Sequence, residues 1–479
     1  MQKLQNHSAP LIPMEKPIYI VIVPSPGFSH LLSIIEFSKR LIQHSNGLQI
    51  TCLIPTLDSP SEPSKAIIQT LPSSIHSTFL PSIHSTNLPQ DSPIAVKAQL
   101  TATLSLPFIR ESLKTLSSSS RLVAMVTDLF ASDALICAKE FNMLSFIYAP
   151  TSATTLSFCL CLPKLDQNVS SEFRDLLEPI EIPGCVPIYG YDLPKPVQDR
   201  TSQMYEFFLQ KCKQLHAVDG VLVNSFKGIE EGPIRALDEE GYGYPKVYPV
   251  GPIIQTGLSG DVKTGSECLR WLDNQAPNSV VYVSFGSGGT LSQDQMNELA
   301  LGLELSGHKF LWVVRAPSES ANSGYLNSES DDPLRFLPDG FIERTKEQGL
   351  VVPSWAPQVE VLGHNATGGF LTHCGWNSIL ESIMNGVPLI AWPLFAEQRM
   401  NAVMLNVALK VALRPNANEK GLVGREEIGK VIRRLIEGEE GREIRRRMQK
   451  LKNVAAETMQ EEGLSSKTVI QFAAKLIGN

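Results

Sequence analysis

Short apolar runs recur along this chain, each closed by a turn of Gly, Pro, Ser or Asn and followed by residues with apolar positions at helical spacing. Ile18 to Val23 is the first run, and Leu31 to Ile42 carries the helical period after it. Gln49 to Ile54, Leu122 to Val126, Phe146 to Ala149 and Gly220 to Asn224 repeat the strand signal, while Gln99 to Lys114, Ala131 to Phe141 and Thr201 to Ala217 read as helices. The rhythm begins again with strands at Val280 to Phe285, Phe310 to Val314, Leu350 to Pro353 and Gly368 to Thr372. Helices are predicted at Gln293 to Ser306 and up to Asn385-Gly386, with a last one at Ser465 to Ile477. Continuous rather than alternating apolar runs are what a sheet buried on both faces needs, and strands alternating with helices make it parallel. The expected fold class is therefore α/β, built from doubly wound units that bind ligands at the carboxyl ends of their strands.

Between these elements the chain is polar. Residues 1–16 read as a loose tail, Thr56 to Asp91 as Ser- and Pro-rich loops around a short strand, Ile182 to Pro187 as a loop, and Pro317 to Asp332 as a polar loop. The His residues of the near-duplication at 74–78 and 82–86 lack a third metal ligand nearby. The Gly- and Ser-containing stretch from Gln255 to Ser266 reads as a connection between domains. Domains are expected at 1–251 and 268–461, with 252–267 as linker and a helix at 462–479 returning to the first domain.

Length agrees with this division, since 479 residues exceed one ordinary core. A charge of −7 argues against nucleic acid as a general partner. The Lys and Arg residues between Arg433 and Lys452 are interleaved with Glu and read as a solvated helix face. Eight scattered cysteines form no CxxC pair, so neither a zinc site nor a disulfide framework is indicated, and a reducing, cytoplasmic setting is expected. No apolar run approaches the roughly eighteen residues of a membrane span, and the N-terminus lacks a secretory core. The sequons at Asn6, Asn168 and Asn365 are therefore read as chance matches.

The strongest chemistry lies between Trp355 and Gln398. Here a strand runs into His373-Cys374-Gly375-Trp376-Asn377-Ser378 and then into a helix. A turn at a helix N-terminus offers unpaired N–H groups and the positive end of the dipole, which favour a phosphate. Asn377 and Ser378 add donors, and Glu381 stands one turn further on, suited to ribose hydroxyls. Taken as a fragment, HCGWNS also fits a helix cap in a core. The whole segment, however, resembles the signature box of plant secondary product glycosyltransferases, the family 1 UDP-glycosyltransferases. That resemblance implies that Trp355 stacks on uracil and the Ala356 backbone bonds its edge. Gln358 and Glu381 would hold the ribose, and His373, Gly375, Trp376, Asn377 and Ser378 the diphosphate. Glu397 and Gln398 would hold the sugar, a terminal Gln marking UDP-glucose. Phe395 departs from the usual Tyr. Ser287, in the small-residue turn Gly286-Ser287-Gly288-Gly289, becomes a further phosphate ligand.

The loop Pro24-Ser25-Pro26-Gly27-Phe28-Ser29-His30 matches the family's N-terminal motif, whose His is the catalytic base. Ser29 and Ser33 replace its Gly and Pro. Asp128, at a strand end, corresponds to the Asp that orients this His, although a helix cap also fits it. LPKLD, IPGCVPI, SFGSGG and KVALRP resemble phenol glucosyltransferases of the hydroquinone, arbutin synthase type. The resemblance implies a GT-B fold, two Rossmann-like domains facing across a cleft, and inverting transfer from UDP-glucose to a small phenolic acceptor. UDP-glucose is then a co-substrate, no cofactor is needed, and the enzyme is a monomer. No D-x-D motif occurs, so no metal is expected. A Ser hydrolase would want G-x-S-x-G and a dehydrogenase GxGxxG, and neither is present. A non-catalytic protein binding UDP-sugar or phenols is the alternative, against which the pair His30 and Asp128 stands.

Overall fold

The computed structural model describes residues 16–45, 47–255, 262–322 and 332–478. Almost all of the tail, with Asn6, the middle of the linker segment at 256–261 and part of the polar loop at 323–331 lie outside the described residues. Among the described residues, strands form two sheets. The first contains β1 (Ile18–Val23), β2 (Leu48–Ile54), β3 (Ile75–Phe79), β4 (Arg121–Thr127), β5 (Leu144–Ala149), β6 (Gly220–Val223) and β7 (Val247–Pro249). The second contains β8 (Val280–Ser284), β9 (Lys309–Val314), β10 (Gly349–Pro353), β11 (Thr367–Thr372), β12 (Leu389–Ala391) and β13 (Ala412–Leu413). Strand order is β3-β2-β1-β4-β5-β6-β7 in one and β10-β9-β8-β11-β12-β13 in the other, so both are Rossmann-like and the GT-B architecture holds. Every pairing is parallel.

Register decides which loops meet. Val23 of β1 lies opposite Thr127 of β4, so the chain leaving β1 toward His30 emerges beside Asp128. Thr372 of β11 lies opposite Ser284 of β8, which sets the 373–376 turn beside the 286–289 turn.

Differences from the sequence expectation have local causes. The first helix starts at Phe28, not Leu31, because Gly27 with φ +129° opens it directly after the Pro-rich loop. Thr56 to Asp91 holds a helix at Glu62–Gln69, capped by Ser61 and with Pro in its first turn. The single helix expected over Gln99 to Lys114 is two, Ile94–Leu104 and Leu106–Ser119, parted before Pro107. The 16-residue helix Ala153–Asn168 carried no amphipathic period, since its residues from Ala153 to Leu162 are all buried. A helix at Val262–Asp273 occupies the last part of the segment read as linker.

The helix Leu464–Gly478 buries Val469, Phe472, Ala473 and Leu476 in the same apolar cluster as Ile20, Ile22 and Phe37 of the first domain. Phe472 meets Phe146 edge-on at 4.9 Å and Tyr248 at 5.3 Å. Arg40, buried in the first helix, donates to the carbonyls of Val250 (3.2 Å) and Pro252 (3.4 Å) and to Ser466 Oγ (3.4 Å). One guanidinium thereby grips both chain crossings between the domains. Truncating Phe472 to Ala should cost about 3–5 kcal/mol, read as a lower urea midpoint. A loss below about 1 kcal/mol would mean that the helix is not integral to the first domain's core.

Candidate active site

His30 stands in the first turn of the helix Phe28–Gln43, and its Nδ1 lies 3.2 Å from Asp128 Oδ2. The ring is about one-third exposed and the carboxylate almost wholly buried. The contact has ion-pair distance, but Nδ1 forms no hydrogen bond there. Such loose alignment is common before substrate binds. Asp128 uses both of its oxygens. Oδ1 accepts from the backbone N–H groups of Phe130 and Ala131, each at 3.0 Å, and so caps the turn that follows. Oδ2 faces the ring and also accepts from Ser25 N at 2.8 Å and Ser25 Oγ at 2.6 Å.

These contacts set the charges. Burial opposes an imidazolium at His30, yet the contact with Asp128 and the negative charges of Asp128 and Glu397 outweigh it, so its pKa rises above the ordinary 6.5. Burial works the other way on Asp128, where the His30 contact and the Ser25 donors win and its pKa falls. Glu397 belongs to the second domain, whose 373–376 turn meets the end of β6 where Trp376 Nε1 donates to the Asn224 carbonyl at 2.6 Å, so the two domains' strand ends face one another. Phe130 meets the His30 ring edge-on at 5.6 Å and stacks on Phe207 at 6.5 Å, giving an aromatic wall beside the imidazole.

Across the cleft, the helix Trp376–Asn385 begins at Gly375, and no side chain caps it. Its first N–H groups are therefore left for an incoming acceptor. His373 lies over this end. Burial pushes its pKa down to about 4, so the ring is neutral, and its Nδ1 has no partner. A Cβ at Gly286 would stand 2.6 Å from that ring and one at Gly375 2.4 Å, so both glycines keep the corner open. Asn377 Oδ1 is also buried and unpaired. Ser287 is exposed on the adjoining turn. Three residues around the site hold positive φ without being Gly, namely Ser354 (+62°), Cys374 (+65°) and Ala396 (+50°). Held strain of this kind gathers where a backbone must meet a ligand.

Comparison with known proteins agrees with this geometry. The profile of the UDPGT family, UDP-glucoronosyl and UDP-glucosyl transferase, matches residues 244–441. Hydroquinone glucosyltransferase of Rauvolfia serpentina is 49% identical over 464 residues, 96% of this chain and 98% of its own. UDP-glycosyltransferase 72B1 of Arabidopsis thaliana is 50% identical over 460 residues, 95% and 96% of the two chains. The chain belongs to the plant UDP-glycosyltransferase family. The solved structure of Phytolacca americana UGT2 with UDP-2fluoro-glucose and pterostilbene matches this transferase with TM-score 0.88 at 47% identity, covering 96% of this chain and 99% of that one. A UDP-glucosyltransferase from Polygonum tinctorium, in complex with 3,4-dichloroaniline, matches at TM-score 0.89 and 46% identity, covering 97% and 99%.

In the transferase the box residues converge, with one exception in detail. Gln358 Nε2 donates to Glu381 Oε2 at 2.6 Å and to Ser378 Oγ at 2.9 Å, and Trp355 and Ala356 stand just before it, across Pro357. Gln398 is buried, its Oε1 accepting from Leu394 N and Phe395 N, each at 2.9 Å, so it shapes the loop that carries Glu397. Trp376 is the exception. Its indole is buried in the core and donates to the Asn224 carbonyl at 2.6 Å, so only its backbone remains for a ligand. Among the described residues no group of three or more His, Cys, Asp or Glu is arranged to hold a metal. No helix among them is long and apolar enough to cross a membrane.

Sequence reasoning missed Ser25, Asn224 and Asn401. Ser25 lies within the loop motif but its partner is 103 residues away. Asn401 falls just past the box, and its partners are 27 and 249 residues distant. Only the folded contacts single them out.

Glu381 gives a test of the nucleotide site. Burial lifts its carboxyl to about 7, and ribose hydroxyls donating to it would favour the ionised form. UDP-glucose should therefore bind more tightly as pH rises through about 7, releasing protons as it binds. Calorimetry in buffers of different ionisation enthalpy reads that release, and Glu381→Gln should abolish it.

Proposed function

We propose that the protein transfers glucose from UDP-glucose to the hydroxyl of a small phenol, by direct displacement, giving a β-O-glucoside and UDP. The observation that carries this reading is the His30–Asp128 pair on one strand edge with Glu397 of the other domain near enough to bias it. The phenol gives its proton to His30 as its oxygen bonds to the anomeric carbon. The bond from that carbon to the diphosphate breaks, and UDP leaves with the electron pair. Asp128 holds the ring's other nitrogen and stabilises the imidazolium, dividing the work as in a hydrolase triad.

The uncapped helix start at Gly375, with Asn377, Ser378, His373 and the turn at Ser287, takes the growing charge on the diphosphate. Because His373 is neutral, it can offer a single N–H there without charge. Trp355 stacks on the base, Ala356 bonds its edge, Gln358 and Glu381 take the ribose, and Glu397 with Gln398 takes the sugar. Residues 1–251, joined by the C-terminal helix, form the acceptor domain, and 268–461 the donor domain. The reading gives no role to a metal. All eight cysteines are free and all but Cys185 are buried, in keeping with a reducing, cytoplasmic setting; the reading takes the enzyme as a monomer.

Acceptor chemistry follows from acidity. A base of pKa about 6.5 removing a proton from a phenol of about 10 faces about 5 kcal/mol. A raised His30 pKa narrows that gap, and coupling to bond formation offsets the rest. An aliphatic alcohol, with acidity nearer water's roughly 16, asks far more. The names of relatives, with hydroquinone, pterostilbene and 3,4-dichloroaniline, agree with small aromatic acceptors facing Phe130 and Phe207.

UDP release from UDP-glucose in EDTA with hydroquinone should depend on the acceptor and yield a product heavier by one hexose, β-linked by proton coupling. Bound UDP-glucose with no acceptor ever modified would sink the reading and favour a binding protein. His30→Ala should lower kcat by about 100- to 10,000-fold on weakly acidic phenols, and less on phenols already ionised. His30 must be neutral to act, so the acid limb of kcat/KM should lie above 6.5. Asp128→Asn removes the charge that raises the imidazole and should move that limb to lower pH.

A further inference from the structure

The diphosphate turn is held from outside its own domain. Cys374 keeps φ at +65°, and its carbonyl accepts from Asn401 Nδ2 at 3.0 Å. Asn401 is fully buried, and its Oδ1 accepts from Ser152 Oγ at 3.1 Å. Ser152 is the N-cap of the helix Ala153–Asn168 and follows β5 of the first sheet. Both ends of the Asn401 amide are thus committed, one to the turn and one to the other domain. Turning the amide over would set oxygen against the Cys374 carbonyl.

Two residues further along, Trp376 Nε1 donates to the Asn224 carbonyl just past β6, at 2.6 Å. Asn224 in turn binds Ile253 with its side chain, Oδ1 accepting at 2.7 Å and Nδ2 donating at 2.9 Å. The turn from 374 to 376 therefore hangs between two anchors on the carboxyl edge of the first sheet.

We propose that Asn401 is a positioning residue for the diphosphate, through which docking of the acceptor domain sets the aim of the donor turn. Released from Asn401, the Cys374 peptide is free to leave its strained conformation, and the N–H groups after it no longer point together. The loss then falls on the phosphates and spares the uridine, because Trp355 and Gln358 stand outside the turn, at the start of the helix Gln358–Gly363, and Glu381 lies in the second turn of the helix Trp376–Asn385, past the N–H groups that are re-aimed. This inference rests on the UDP-sugar reading of the site.

The test compares UDP with uridine by calorimetry on the full chain. Asn401→Ala should weaken UDP about tenfold, as loss of one buried hydrogen bond implies, leave uridine unchanged and raise KM for UDP-glucose but not for the phenol. Ser152→Ala, a change made in the other domain that removes the bond to Asn401, should reproduce part of that loss, about threefold by the same scale. Equal loss of UDP and uridine, or unchanged UDP affinity in Asn401→Ala, would overturn the proposal. Should Asn401→Ala fail to fold, as its melting curve would show, Ser152→Ala decides, and an unchanged UDP-to-uridine ratio overturns it. Wild-type protein that binds neither ligand would instead refute the reading of the site itself.

Discussion

Parallel strands cannot be joined by hairpins, so each connection in both sheets runs over a face and returns, leaving all the carboxyl ends on one edge. Everything chemical in this transferase follows from that constraint applied twice. The first sheet presents the loop before His30 and the loop at Asp128 side by side, because β1 and β4 are neighbours in register. The second presents the 286–289 and 373–376 turns side by side, because β8 and β11 are neighbours. With the two edges facing each other, His30 and the 373–376 turn look onto one cleft without any element being bent to bring them there.

The two histidines of the cleft show how placement alone divides labour. His30, partly exposed and beside a carboxylate, is raised in pKa and suited to carry a proton. His373, buried without an acid, is driven down to about 4 and stays neutral. The same side chain is thus held readily protonated on one wall and neutral on the other. The strain stored at Cys374 and Ala396 belongs with this division, since a fixed dipole is useful only if its backbone is held still.

Much of this was legible in the chain itself. Strand β1 and the helix Gln293–Ser306 coincide with the apolar pattern, because buried parallel strands and amphipathic helices write clear periods. The helix Ala153–Asn168 was not legible for the converse reason: buried on all sides of its first three turns, it has no polar face to set a period. The box could be read as a unit because its residues lie close to one another in sequence. Ser25 and Asn401 could not, since each derives its role from a partner that only the fold brings near. Trp376 marks the boundary between the two cases, with a backbone placed by its motif and a ring claimed by the other domain.

The helix Leu464–Gly478 completes a core that begins with β1, and Arg40 ties its start to the residues just after β7. On the ribosome the first domain is therefore made early and finished late. Its last strand, Val247–Pro249, emerges long before residues 464–478 exist to cover the sheet, and the whole second domain is synthesised in between. The second half can fold as it emerges, while the first half waits with Phe146 and Tyr248 uncovered. Nascent chains stalled after the second domain should therefore depend more on chaperones than the finished protein does.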